Sequence, residues 1–117
     1  MQVRVGRQGG YGGGTRFDVI LLGAGLCGTL SAIQLKRAGF SVALLDRPAG
    51  ALPETGRLEG LSARAAAALE AMELPGVAAL LASRCPRHVH WGDIQNTLNE
   101  ECIVDRGVLD QRLRRCV

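Results

Sequence analysis

The sequence predicts an α/β fold built on a parallel βαβ unit, part of an incomplete domain, and three observations lead there. A short apolar run, "FDVILL" (residues 17–22), meets three glycines spaced G-x-G-x-x-G in "GAGLCG" (23–28), and a second branched run, "FSVALLD" (40–46), follows after one helix length. Two strands separated by a helix of that length pair only in parallel, through a right-handed crossover.

Each element has its own signal. The first run is rich in branched residues and bounded by glycine, the pattern of a strand buried on both faces. From Leu26 to Ala38, Leu26, Leu30, Ile33 and Leu35 recur at near-helical spacing. Lys36 and Arg37 occupy the last turn, and Gly39 is placed as a stop.

The glycines have distinct tasks at a strand-to-helix turn. Gly23 permits the tight bend, Gly25 lets a pyrophosphate approach the backbone, and Gly28 lets the helix pack close to the strand. Phosphate charge would be received by backbone N–H groups at the positive end of the helix, where Leu26 and Cys27 join the glycines as cofactor-binding candidates. Cys27 reads as a small apolar residue of the turn, with a reactive thiol at the helix start as the sharper alternative.

Asp46 ends the second strand 18 residues after Gly28, where a carboxylate accepts both hydroxyls of a ribose. Glycines, strands, helix and terminal acid together indicate dinucleotide binding on a Rossmann-like unit. An acid there favours the free 2′-hydroxyl of FAD or NAD over the 2′-phosphate of NADP. Arg47 beside it is a further candidate, with a solvent-facing arginine as the alternative.

Composition bounds what surrounds this unit. A chain of 117 residues holds one modest core, and with 47% hydrophobic residues but only Tyr11, Phe17, Phe40 and Trp91 aromatic, that core is aliphatic. The net charge of +3 comes from Arg4, Arg7 and Arg16, which precede the first acid; thereafter 11 basic residues balance 11 acids. A neutral body excludes a nucleic-acid footprint, and the cluster Arg112, Arg114 and Arg115 reads as a solvated helix end.

Cys27, Cys85, Cys102 and Cys116 show no C-x-x-C pairing, so reduced thiols in a cytoplasm are expected. No apolar run is long enough to span a membrane. The leader, residues 1–16, is rich in glycine and arginine without apolar periodicity and reads as disordered, with an RNA-binding tail as the alternative; the body is 17–117.

Beyond Asp46, Leu58, Leu61, Ala65, Leu69 and Met72 recur at three and four, predicting an amphipathic helix ended by Pro75-Gly76. Val89 and Trp91 alternate with His88 and His90 as on a half-buried strand. A metal site using Cys85 and these histidines lacks a second ligand pair, so none is expected. "CIV" (102–104) reads as a strand, and Asp105 as the cap of a helix carrying Val108, Leu109 and Leu113.

"VILLGAGLCGTLSAIQLKRAGFSVALLDR" resembles the FAD-binding fingerprint throughout, with Ala32, Leu35, Gly39 and Val42 at its packing positions. "GRLEGLSARAAAALEAMEL" (56–74) and "VDRGVLDQRL" are similar to segments of the FAD-dependent aromatic hydroxylases and related monooxygenases. "HWGD" followed by Asp-Arg resembles their halogenase-like branch and flavoproteins that oxidise protein side chains while maturing quinone cofactors. The resemblance covers residues 17–117.

It implies FAD as cofactor and places Arg57, Arg64 and Arg106 on the flavin side, with arginines on a polar helix face as the alternative for the first two. It also implies a small-molecule or amino-acid-derived substrate in a parent enzyme fed by NAD(P)H or a flavin reductase. No residue reads as a catalytic acid, base or nucleophile. Gly92-Asp93 comes too early for the family's flavin-contacting Gly-Asp motif, and the chain stops with no further strand, so it is expected to be the N-terminal part of a larger domain, inactive alone. A non-catalytic nucleotide-binding fragment and the first half of an NAD-dependent dehydrogenase are the alternatives.

Overall fold

A computed structural model of the protein describes residues 3–5, 16–47 and 56–117. The chain forms two compact units, one comprising Met1–Leu52 with Leu113–Val117 and the other Pro53–Arg112.

In the first unit, β1 (Val3–Val5), β2 (Val19–Leu22) and β3 (Val42–Leu45) form a sheet of order β1-β3-β2. β2 and β3 pair in parallel from Val19 with Val42 to Leu22 with Leu45, joined through α1 (Leu26–Arg37). The expected βαβ unit is therefore present. Gly39 adopts φ +93 just beyond the helix, where a left-handed residue turns the chain toward β3.

Two expectations need correction here. Val3–Val5 is no disordered leader: it pairs antiparallel with β3, Val3 opposite Leu44 and Val5 opposite Val42. A valine-arginine-valine triplet suits a strand, and β3 offers it an open ladder. The rest of the leader up to residue 15 lies outside the described residues. β2, moreover, is not buried on both faces. It is the last strand in the sheet order, and its burial alternates, with Ile20 at 61% and Leu22 at 81% exposure.

The core of this unit gathers Ala24, Ala32, Val42 and Leu44, with Leu21, Leu35 and Val117 packed against them. At the opposite end of the strands, Asp18 Oδ2 accepts from the backbone N–H and hydroxyl of Ser41 at 2.7 and 2.6 Å, tying β2 to β3.

The second unit is antiparallel. β4 (Leu58–Ser62), β5 (Arg84–Trp91) and β6 (Ile94–Asp105) form a sheet of order β4-β6-β5. α2 (Ala63–Glu70) and a short 3-10 turn, Ala78–Leu81, pack on β6. Leu61, Ala66, Leu69, Leu74, Val77, Leu81, Cys102, Val104 and Leu109 are buried. α3 (Arg106–Arg114) follows β6 directly, and its last residues belong to the first unit.

The helix expected across Leu58 to Met72 is half strand. Leu58 to Ser62 pair with Asp105 to Glu101, leaving Leu58 70% exposed and Leu61 buried, and the helix begins only at Ala63. Apolar residues three apart satisfy one helical turn, but here the ladder offered by the twelve-residue β6 prevails. Gly92 and Asp93 form the two-residue turn between β5 and β6, Gly92 at φ +57, with Trp91 opposite Ile94. Val89 is half-buried as expected, whereas Trp91 is 81% exposed. Among the described residues, no helix is long and apolar enough to cross a membrane.

Candidate functional site

The start of α1 is built from backbone. Gly23 takes φ +96, a conformation costly for any residue with a side chain, and its N–H donates to the Leu45 carbonyl at 2.7 Å, extending the parallel ladder into the turn. A Cβ on Gly28 would collide with the Gly23 carbonyl oxygen and lie 3.7 Å from Leu44 Cδ1, so only glycine lets the helix close on the turn.

Gly25 differs from both. It stands at the N-cap with φ −75, and a Cβ there would meet nothing within 4 Å. No side chain caps the helix and no acid lies in its first turn. Leu26, half-buried, and Cys27, exposed, are its first two residues. A cradle open above Gly25, tight below Gly28 and uncapped by side chains fits the diphosphate of a dinucleotide.

The turn is braced from inside. Thr29, fully buried, donates its hydroxyl to the Ala24 carbonyl at 3.1 Å, and Arg114 Nε donates to the same oxygen at 3.1 Å. Arg114 Nη2 also donates to Asp46 Oδ2 at 2.8 Å. Asp46, at the end of β3, is thus linked to the glycine turn through one arginine as well as by the backbone of Ala24. Burial pushes the Asp46 carboxyl up, but backbone hydrogen bonds from Arg47 and Ala24 and the charges of Arg114 and Arg47 together hold it below the ordinary value. It stays an acceptor. Arg47 is exposed.

Arg57 and Arg106, expected beside the flavin, lie in the second unit and converge on one carboxylate. Arg57 Nε stands 3.0 Å from Glu59 Oε1, and Arg106 Nη1 donates to Glu59 Oε2 at 2.6 Å, with a longer contact of 3.3 Å to Asp110. Asp105 caps α3 as expected: its Oδ1 accepts from Gly107 and Val108 at 2.9 and 3.2 Å, while its Oδ2 accepts from Gly56 at 2.7 Å. Arg64 is exposed on α2.

Three contributors escape a reading of the sequence: Thr29, Glu59 and Arg114. Arg114 is no solvated helix end, since its side chain is 33% exposed and engaged at two points. The spacing that marks a glycine turn carries no signal for a partner 90 residues away. His88 Nδ1 lies 3.1 Å from Thr97 Oγ1, and no cluster of metal-ligating side chains occurs among the described residues.

Comparison with known families and with solved structures gives matches. Residues 16–112 match the family described as FAD binding domain. A solved structure, "Peptidyl tryptophan dihydroxylase QhpG essential for tryptophylquinone cofactor biogenesis", is similar at 31% identity and a TM-score of 0.65 over 87% of this chain. The chain covers 23% of that protein's length. No curated protein sequence matches.

Proposed function

Because this chain belongs to the FAD binding domain family, we propose that it is the N-terminal FAD-binding portion of a flavin-dependent monooxygenase or halogenase-like oxidoreductase. FAD is the cofactor that family binds. The strongest support is the start of α1: a glycine turn sealed by Gly28, an N-cap without a side chain, and Asp46 tied to the same turn.

Each residue has a task in this reading. Gly23 and Gly25 admit the diphosphate, and the backbone N–H groups of Leu26, Cys27 and Gly28 at the positive helix end hold its charge. Asp46 accepts the adenosine ribose hydroxyls, with Arg47 alongside. Arg57 and Arg106, paired through Glu59, are the arginines that the family resemblance assigns to the flavin side. Bound flavin supplies the oxygen chemistry, and the protein supplies binding and orientation.

The likeness to a peptidyl tryptophan dihydroxylase supports an aromatic, amino-acid-derived substrate for the whole protein, with NAD(P)H or a flavin reductase as electron source. Free thiols at all four cysteines support a cytoplasmic setting. An NAD-dependent dehydrogenase is not favoured: the family match is to FAD binding, and beyond β3 the described chain turns into an antiparallel sheet rather than a third parallel strand.

Titration of the purified protein with FAD tests this. Flavin absorbance that stays with the protein through gel filtration, and is displaced by ADP, is the expected result. A colourless protein that leaves added FAD unchanged overturns it.

A further inference from the structure

Arg114 uses both ends of one guanidinium edge. Its Nε reaches the Ala24 carbonyl and its Nη2 the Asp46 carboxylate, at 3.1 and 2.8 Å. The planar fork of arginine spans two such acceptors in fixed geometry, which the single ammonium of lysine does not.

The segment that carries it is anchored. Leu113 is fully buried, Val117 packs on the core of the first unit, and Lys36 Nζ donates to the Val117 carbonyl at 2.6 Å. The Ala24 carbonyl is saturated, because a carbonyl oxygen offers two lone pairs and Thr29 takes the other. Asp46 is not saturated: a carboxylate accepts about four hydrogen bonds, and beside Arg114 and the backbone N–H groups of Arg47 and Ala24 a place remains for a sugar hydroxyl.

We propose that Arg114 is a positioning residue of the dinucleotide site, locking the Asp46 carboxylate to the glycine turn so that diphosphate cradle and ribose acceptor keep a fixed separation. This rests on the assignment of Asp46 to the adenosine ribose. The lowered pKa of Asp46 agrees, since a charged acceptor is what a diol requires. Arg114 acts through Asp46.

The test compares ADP, which shares its diphosphate and ribose with FAD, against 2′-deoxy-ADP, by calorimetry on the full chain. The wild-type protein is expected to prefer ADP about tenfold, the value of one hydrogen bond to a charged group. Arg114→Met should bring that ratio close to one, and Arg114→Lys should keep part of it. Asp46→Ala should also abolish it, and adding Arg114→Met to Asp46→Ala should change it no further.

A merely structural arginine would lower the melting temperature and leave the ratio intact, so Arg114→Met or Arg114→Lys with wild-type preference overturns the proposal. If Asp46→Ala keeps the preference, the ribose assignment fails instead, and if the wild-type protein binds neither nucleotide, the dinucleotide assignment falls with it. Should Arg114→Met not fold, Arg114→Lys decides between the same outcomes.

Discussion

The starts of α1 and α3 meet the same physical requirement in opposite ways. Every helix leaves its first N–H groups without internal partners. At α3, Asp105 satisfies those of Gly107 and Val108 with its own carboxylate, and at α2 the hydroxyl of Ser62 accepts from Ala65. At α1 the capping position is Gly25, which has nothing to offer. Two helices are closed by their own side chains, and the one behind the glycine turn is left open to an anion from outside. Local stability and ligand capacity are thus separated by region, with the second unit spending side chains on itself.

The contrast breaks most severely at Gly28. Gly28→Ala forces a methyl against the Gly23 carbonyl, and a backbone shift of that kind is expected to cost about 3 kcal/mol or more. It should appear as a lower urea midpoint at unchanged slope, together with loss of FAD binding. A variant as stable as wild type would mean that the helix and turn are not in close contact.

In the second unit, Glu59→Gln removes the negative charge, and one of the two acceptor oxygens, shared by Arg57 and Arg106. Glu59 is 36% exposed and Arg106 16%, so a loss of about 1–2 kcal/mol is expected, between the values for surface and buried pairs. Arg57→Ala alone, with a side chain 45% exposed, should cost under about 0.5 kcal/mol in the same titration.

Exchanging caps sharpens the comparison directly. Ser62→Ala should destabilise by about 1 kcal/mol, whereas Gly25→Ser, entering open space at an ordinary φ, should stabilise by about 0.3 kcal/mol. The same Gly25→Ser change should weaken FAD, because the new hydroxyl competes for the N–H groups proposed to hold phosphate. A Gly25→Ser protein that binds FAD as wild type does would place the diphosphate elsewhere.

The smallest effect concerns acid. Hydrogen bonds from the Ser41 side chain and backbone hold Asp18 below its ordinary 3.8, and backbone donors led by Gly56 do the same for Asp105. A carboxyl depressed in the folded state contributes stability that is full above its unfolded value and is lost as pH falls through the folded one. Melting temperature should therefore be insensitive to these groups above about pH 5 and fall below about pH 4. Asp18→Asn should flatten part of that decline; an unchanged acid limb would show that the Ser41 contacts contribute nothing to folding.

What the sequence discloses follows from distance along the chain. The first βαβ unit is legible because strand, turn, helix and second strand announce themselves within thirty residues by local periodicity and glycine placement. Asp105 is legible as a cap for the same reason. The segment from Leu58 to Ser62 is misread as helix because its true partner is Glu101 to Asp105, far downstream. Arg114 is missed more completely, since its two acceptors lie 90 and 68 residues upstream and nothing near it marks it as other than a basic helix end. The resemblance to flavin monooxygenases, carried by short motifs, is borne out by the family match over residues 16–112.

The strand Val3–Val5 has a practical consequence. Trimming an expression clone to the family boundary at residue 16 would strip β1 from β3 and leave Val42 to Leu44 with bare amides and carbonyls along one side. Exposed ladders of that sort recruit neighbouring molecules. The shortened polypeptide would precipitate where the longer one stays in solution, and the fifteen residues that look most dispensable would decide whether a usable sample is obtained.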